Sequence, residues 1–180
     1  MEGGGTTDAT VSRTAVNVLA TVAVIASVLV ALIVQALLWG EYESGVGFWL
    51  VAAAIFAVGL VAHEATHGVG YRVFGGLRPD QVKFGVMWKA LMPYAHAKAP
   101  MTAAAYRKAV LLPGLVTGVL PMLAGLATGF APLTLAGAAL LGGAGGDWAV
   151  VYAIRKVPGD RLVRDHPTDV GAEILPAGAA

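Results

Sequence analysis

The sequence predicts an all-α membrane protein: four transmembrane helices, with a short cytoplasmic loop able to form a β-hairpin between helices two and three. Three observations predict it. The 180 residues are 57% hydrophobic and only 13% charged, where soluble domains carry about 25% charged residues, and the mean hydropathy is +0.73. The apolar residues gather into stretches at roughly 15–39, 47–70, 109–130 and 132–154, each near or above the roughly 20 residues that a helix needs to cross a bilayer. The charges collect between and after these stretches.

The first stretch reads as a retained anchor. It is too long for a signal peptide, only Arg13 precedes it, and no cleavage site stands before the acidic Glu41-Tyr42-Glu43 loop. Asn17, the single asparagine, is expected to hydrogen-bond to a neighbouring helix. The second stretch ends in His63-Glu64-Ala65-Thr66-His67. Val82 to Ala97 mixes aromatic and β-branched residues around Pro93, which suggests a hairpin. Pro100-Met101-Thr102 opens an Ala-rich helix with Thr102 as its cap. Leu112-Pro113-Gly114 and Leu120-Pro121 should kink or interrupt the third span. A Gly129-to-Pro132 turn leads into the fourth, where Gly142-Gly143-Ala144-Gly145-Gly146 precedes Asp147. Glycine there allows close helix approach or a local opening. The domain reading is therefore a flexible 1–14, one membrane domain over 15–154, and a cytoplasmic tail over 155–180. The Gly-, Thr-, Ala- and Pro-rich ends should be loose.

Charge sets the expected topology. Arg72, Arg78, Lys83, Lys89, Lys98, Arg107 and Lys108 face one acid, Asp80, and Arg155, Lys156, Arg161 and Arg164 follow the last span. The positive-inside rule places both segments, and with an even number of spans the N-terminus too, in the cytoplasm. Trp39, Tyr42, Phe48 and Trp49 cluster about the outer loop as an aromatic belt. His63 and Asp147 each lie a similar distance before the inner end of their spans, roughly 12 Å deep at 1.5 Å per residue. A net charge of +1 says little by itself; no glycine-rich nucleotide-binding signature follows a credible strand, and no nucleic-acid partner is expected.

The HExxH motif carries the chemistry. Four residues apart on a helix, His63 and His67 share a face and can supply two zinc ligands, with Glu64 beside them as general base. Ionisable groups within a span are costly and usually functional; the bland alternative is a pair of histidines bonded across the bundle. Catalytic zinc takes three protein ligands and leaves one position open. With no cysteine in the chain, the third ligand must come from His96, Asp147, His166 or, less favourably, Asp80. Asp147 is the best placed. His96 is also a candidate for catalysis, through substrate positioning or oxyanion stabilisation. One Zn²⁺ per chain is the expected cofactor.

The chain resembles the DUF3267 family of predicted membrane zincin peptidases and, more distantly, the site-2 protease class of intramembrane metalloproteases. The resemblance rests on His63–His67, Lys83-Phe84-Gly85, Leu111-Leu112-Pro113-Gly114, Gly146-Asp147, Arg155-Lys156-Val157-Pro158 and Asp165-His166-Pro167, and covers roughly residues 50–167. It implies zinc-dependent cleavage of membrane-associated protein substrates within the bilayer, with His63, His67 and Asp147 as ligands and Glu64 as base. Trp148 stands where the site-2 class often has glycine after its aspartate. The rival readings are a membrane zinc transporter or sensor without hydrolysis, and a catalytically inactive membrane scaffold.

Overall fold

The computed structural model describes residues 5–40, 44–88 and 92–178. Glu41, Tyr42, Glu43 and Lys89, on which the expected topology draws, lie outside these residues. Among the described residues, four helices are long and apolar enough to cross a membrane: α1 (Arg13–Trp39), α2 (Val46–Val73), α3 (Ala103–Thr128) and α4 (Ala131–Ala153). They match the four expected spans, except that α3 begins earlier, at Ala103. Thr102 caps it as expected, its Oγ1 accepting the Ala105 N–H at 3.3 Å. Between α2 and α3 lie β2 (Val82–Met87) and β3 (Met92–Ala97), an antiparallel hairpin that pairs Val82 with Ala97 and Met87 with Met92.

The chain divides into two compact units. The first comprises Met1–Val16, Glu64–Leu112 and Gly146–Ala180. It holds the hairpin and a feature that the sequence reading lacks, an antiparallel four-stranded sheet in the order β1-β6-β5-β4. Its strands are β1 (Thr7–Val11), β4 (Met101–Thr102), β5 (Leu162–Asp165) and β6 (Val170–Ile174). The composition of the ends predicts loose termini, yet β1 and β6 pair over five residues, from Thr7↔Ile174 to Val11↔Val170. Backbone pairing satisfies these segments where side chains offer little to pack. Gly171, at φ +150, lies against the Ala9 carbonyl, closer than any side chain would permit. Tyr71, Met101, Tyr106, Ile154 and Val163 form the buried centre of this unit. The Arg107 guanidinium donates to the Ile154 carbonyl at 2.7 Å and to the Val157 carbonyl, closing the C-terminal end of α4.

The second unit comprises Asn17–His63 and Pro113–Gly145. Here helices meet through small residues, as association in lipid requires. A Cβ added at Gly118 would lie 2.8 Å from the Leu141 Cα, one at Gly137 would lie 2.4 Å from the Met122 nitrogen, and one at Gly142 would lie 2.4 Å from the Val24 Cα. Two polar side chains in this unit bond across to neighbouring segments. Gln35, fully buried, accepts from the Thr134 hydroxyl at 2.9 Å and donates to the Gly129 carbonyl at 3.1 Å. Ser27 donates to the Ala138 carbonyl at 2.8 Å. Gln35 thus makes the interhelical bond expected of Asn17, which is exposed.

The prolines of α3 do not stop it. Pro113 ends one α-helical segment, Gly114–Val119 is π-helical, and the α-helix resumes at Leu120 with Pro121 in its first turn. Each proline lacks an N–H, so each sits where the ladder changes register and one donor is dispensable. In α4 the glycines act in both expected ways: Gly142 and Gly145 meet the α1 backbone, and the helix is interrupted at Ala144 before restarting at Gly145.

Gly118→Ala should therefore cost about 1–3 kcal/mol by overpacking. Gly143→Ala, where nothing lies within 4 Å, should be neutral or stabilising by up to about 1 kcal/mol. Thermal unfolding in detergent, variants side by side, checks the contrast.

Candidate metal centre

Helix α2 is apolar from its start and carries His63, Glu64 and His67 in its final turns. The boundary between the units falls inside this unbroken helix, after His63, so the closeness of the two histidines is the helix's own i, i+4 geometry. His67 is buried, and its Nε2 lies 3.3 Å from Asp147 Oδ1. Asp147 stands in the first turn of the segment that restarts at Gly145, where a carboxylate suits the helix dipole. The ligand atoms of His63, His67 and Asp147 all lie within 4.8 Å of one another. Two imidazoles and a carboxylate so gathered can coordinate a metal ion. At metal–ligand distances of about 2.0–2.1 Å, tetrahedral zinc ligands stand about 3.3 Å apart, which the His67–Asp147 separation matches.

Glu64 is held from the hairpin: its Oε2 accepts the Ala95 N–H at 2.7 Å. Ala97, two residues on and therefore on the same edge of β3, donates its N–H to Asp165 Oδ2 at 2.6 Å. The edge of β3 turned away from β2 thus binds two carboxylates in succession.

The remaining sequence candidates lie elsewhere. His96, on β3, is outside the metal-capable group and sits 3.6 Å from Asp165. Asp80 is exposed and pairs with Arg78 at 3.1 Å; the Arg78 guanidinium holds its carboxyl below the usual range. His166 belongs to a second group with Asp8 and Glu173. Its Nδ1 accepts the Asp169 N–H at 2.9 Å and the Thr168 N–H at 3.3 Å. That leaves the proton of a neutral ring on Nε2, which faces Asp8 at 3.8 Å. A ring in this tautomer offers a proton where a metal needs a lone pair, so the group reads as a polar contact between the turn after β5 and the neighbouring strands.

Two features escape the sequence reading. The first is Asp165, at the end of β5. It accepts from the Tyr106 hydroxyl, from the Ala97 amide and, at 3.3 Å, from the Tyr71 hydroxyl. Tyr71 in turn stacks on His67, with ring centroids 6.0 Å apart. The available signal was Tyr71 itself, four residues after His67 and so on its face. The second is Thr117, a buried hydroxyl in the π-helical turn; it lies four residues after Pro113 in an apolar span, a pattern that sequence spacing alone does not distinguish from packing.

Two histidines of one HExxH helix and an aspartate of the last span, in a protein with four helices apolar enough to cross a membrane, form a metal-capable group of the zincin type. The DUF3267 family model, described as "Putative zincin peptidase", matches residues 56–162; the chain belongs to that family. No curated protein and no solved structure matches the chain.

Burial pushes the Asp165 carboxyl above its ordinary range, against the opposing pull of the Tyr106 hydroxyl, the Ala97 amide and the nearby histidines. A raised carboxyl pKa adds stability at pH below the unfolded value, and that contribution is lost as pH rises through the folded value. Asp165→Asn should flatten this fall in the thermal midpoint between pH 4 and 8, measured in detergent.

Proposed function

We propose that this chain is a zinc-dependent intramembrane endopeptidase that hydrolyses peptide bonds of membrane-associated proteins. The observation that supports this reading best is the convergence of His63, His67 and Asp147 beside Glu64 in helices apolar enough to cross a membrane. The donor set fits zinc: two imidazoles and one carboxylate, leaving a fourth position for water or substrate. His63, His67 and Asp147 would hold the ion. When bound, zinc supplies an acidified water and a Lewis acid for the scissile carbonyl.

The chain's own residues do the rest. Glu64 takes the proton from the attacking water and returns it to the leaving amine. The Ala95 amide, bonded to one of its oxygens, fixes the orientation of that carboxylate. His96 stands on the same strand as Ala95, 3.6 Å from Asp165; its role is to orient substrate or to stabilise charge on the carbonyl oxygen. A helical substrate hides its amides, so the substrate must present extended backbone at the site. The hairpin, the basic residues and both chain ends lie on the cytoplasmic side in this reading, following the charge bias of the loops.

Metal analysis of detergent-purified protein tests the site. Wild type should carry near one zinc per chain, lost in His67→Ala and Asp147→Ala and kept in Glu64→Gln. Against a panel of single-span reporter proteins, Glu64→Gln should lower cleavage by about 10²–10⁴-fold, the contribution of a positioned base. Zinc-free wild type, even after zinc is supplied, overturns the reading. Cleavage that persists in Glu64→Gln overturns the assigned mechanism.

A further inference from the structure

Thr117 is buried within the π-helical turn Gly114–Val119, where the Leu120 N–H reaches back five residues to the Leu115 carbonyl. An added residue in a helical turn rotates the downstream part of the helix by about 100° relative to an unbroken α-helix. Such turns within α-helices recur at functional sites. This one begins at Pro113, where the ladder already lacks a donor.

The Thr117 hydroxyl has a single proton, and it goes to the Pro113 carbonyl at 2.8 Å. The same oxygen lies 3.2 Å from His63 Nδ1. With its proton committed, Thr117 can only accept there, so the ring proton of His63 sits on Nδ1. The lone pair is then on Nε2. This is the reverse of His166, whose Nδ1 accepts two backbone N–H groups.

We infer that Thr117 is a positioning residue for the metal centre. Its hydroxyl, polarised by the Pro113 carbonyl and aimed by the π-helical turn, holds the His63 ring in the rotation and tautomer that present Nε2 for coordination. The inference rests on the zinc reading above and adds to it a partner outside the three ligands. Metal-binding histidines depend on such partners for their second nitrogen, and loss of one typically weakens metal affinity 10–100-fold. A threonine that served only to bond back along its own helix would leave metal affinity unchanged on removal.

The test compares wild type with Thr117→Val, which keeps the shape and removes the hydroxyl, and Thr117→Ser, which restores it. Zinc affinity is read by competition with a chromophoric chelator in detergent, and the thermal midpoint of each metal-free protein is recorded beside it. Thr117→Val should bind zinc 10–100-fold more weakly, with Thr117→Ser within about threefold of wild type. Nitrogen NMR of histidine-labelled, metal-free protein should show His63 as the Nδ1–H tautomer, and a mixture of tautomers in Thr117→Val. Should the valine variant not fold, Thr117→Ala carries the same comparison. Wild type that binds zinc while both the valine and alanine variants bind it equally well overturns the role of Thr117 and leaves the proposed function standing. Wild type that binds no zinc overturns the metal reading and this inference together.

Discussion

Hydrocarbon offers a polar side chain no partner, so each such group buried in a span must find one within the protein. Most of the architecture around the candidate site follows from that constraint. In the second unit, Gln35 meets Thr134 and the Gly129 carbonyl, Ser27 meets the Ala138 carbonyl, and Thr117 meets Pro113 and His63. In the first, His67 meets Asp147, and Glu64 meets the Ala95 amide. The glycines serve the same constraint from the other side. Gly118, Gly137 and Gly142 let backbones approach closely enough for short side chains to reach across.

The site also depends on structure that is not helical. Glu64 and Asp165 are both anchored on one edge of β3, and Asp165 is delivered there by β5 of the four-stranded sheet. Tyr71, one turn beyond His67, and Tyr106, in α3, both bind Asp165. A single buried carboxylate therefore links the HExxH helix, the hairpin, the sheet and the third helix within one unit. The two chain ends contribute β1 and β6 to this arrangement, so segments of ordinary composition support the element that carries Asp165.

The parts legible in the sequence were those with a long-range or strict pattern. Four spans were visible because only runs of about 20 apolar residues can cross a bilayer. His63, Glu64 and His67 were visible because i, i+4 spacing places ligands on one face. Asp147 stood out as the single acid of its span, and Thr102 and the Val82–Ala97 hairpin followed from local turn and cap chemistry. The sheet was not legible: its strands are short, β4 has two residues, and their pairing joins residues at opposite ends of the chain. Nor was the π-helical turn, since proline predicts a disturbed ladder without saying how the ladder is restored.

By itself, then, the sequence determined membrane class, the number and approximate bounds of the spans, and the local geometry of the HExxH helix, because each depends on residues near one another along the chain. Tertiary structure alone decided which distant residues complete the site. It set Asp147 against His67 and left His96 beside Asp165. It brought Thr117 to His63, and it drew Asp165 from the expected tail into the centre of a folded unit. The physical reason is common to these cases. A buried polar group specifies that a partner must exist, whereas the identity of that partner depends on how helices and strands far apart in sequence pack together.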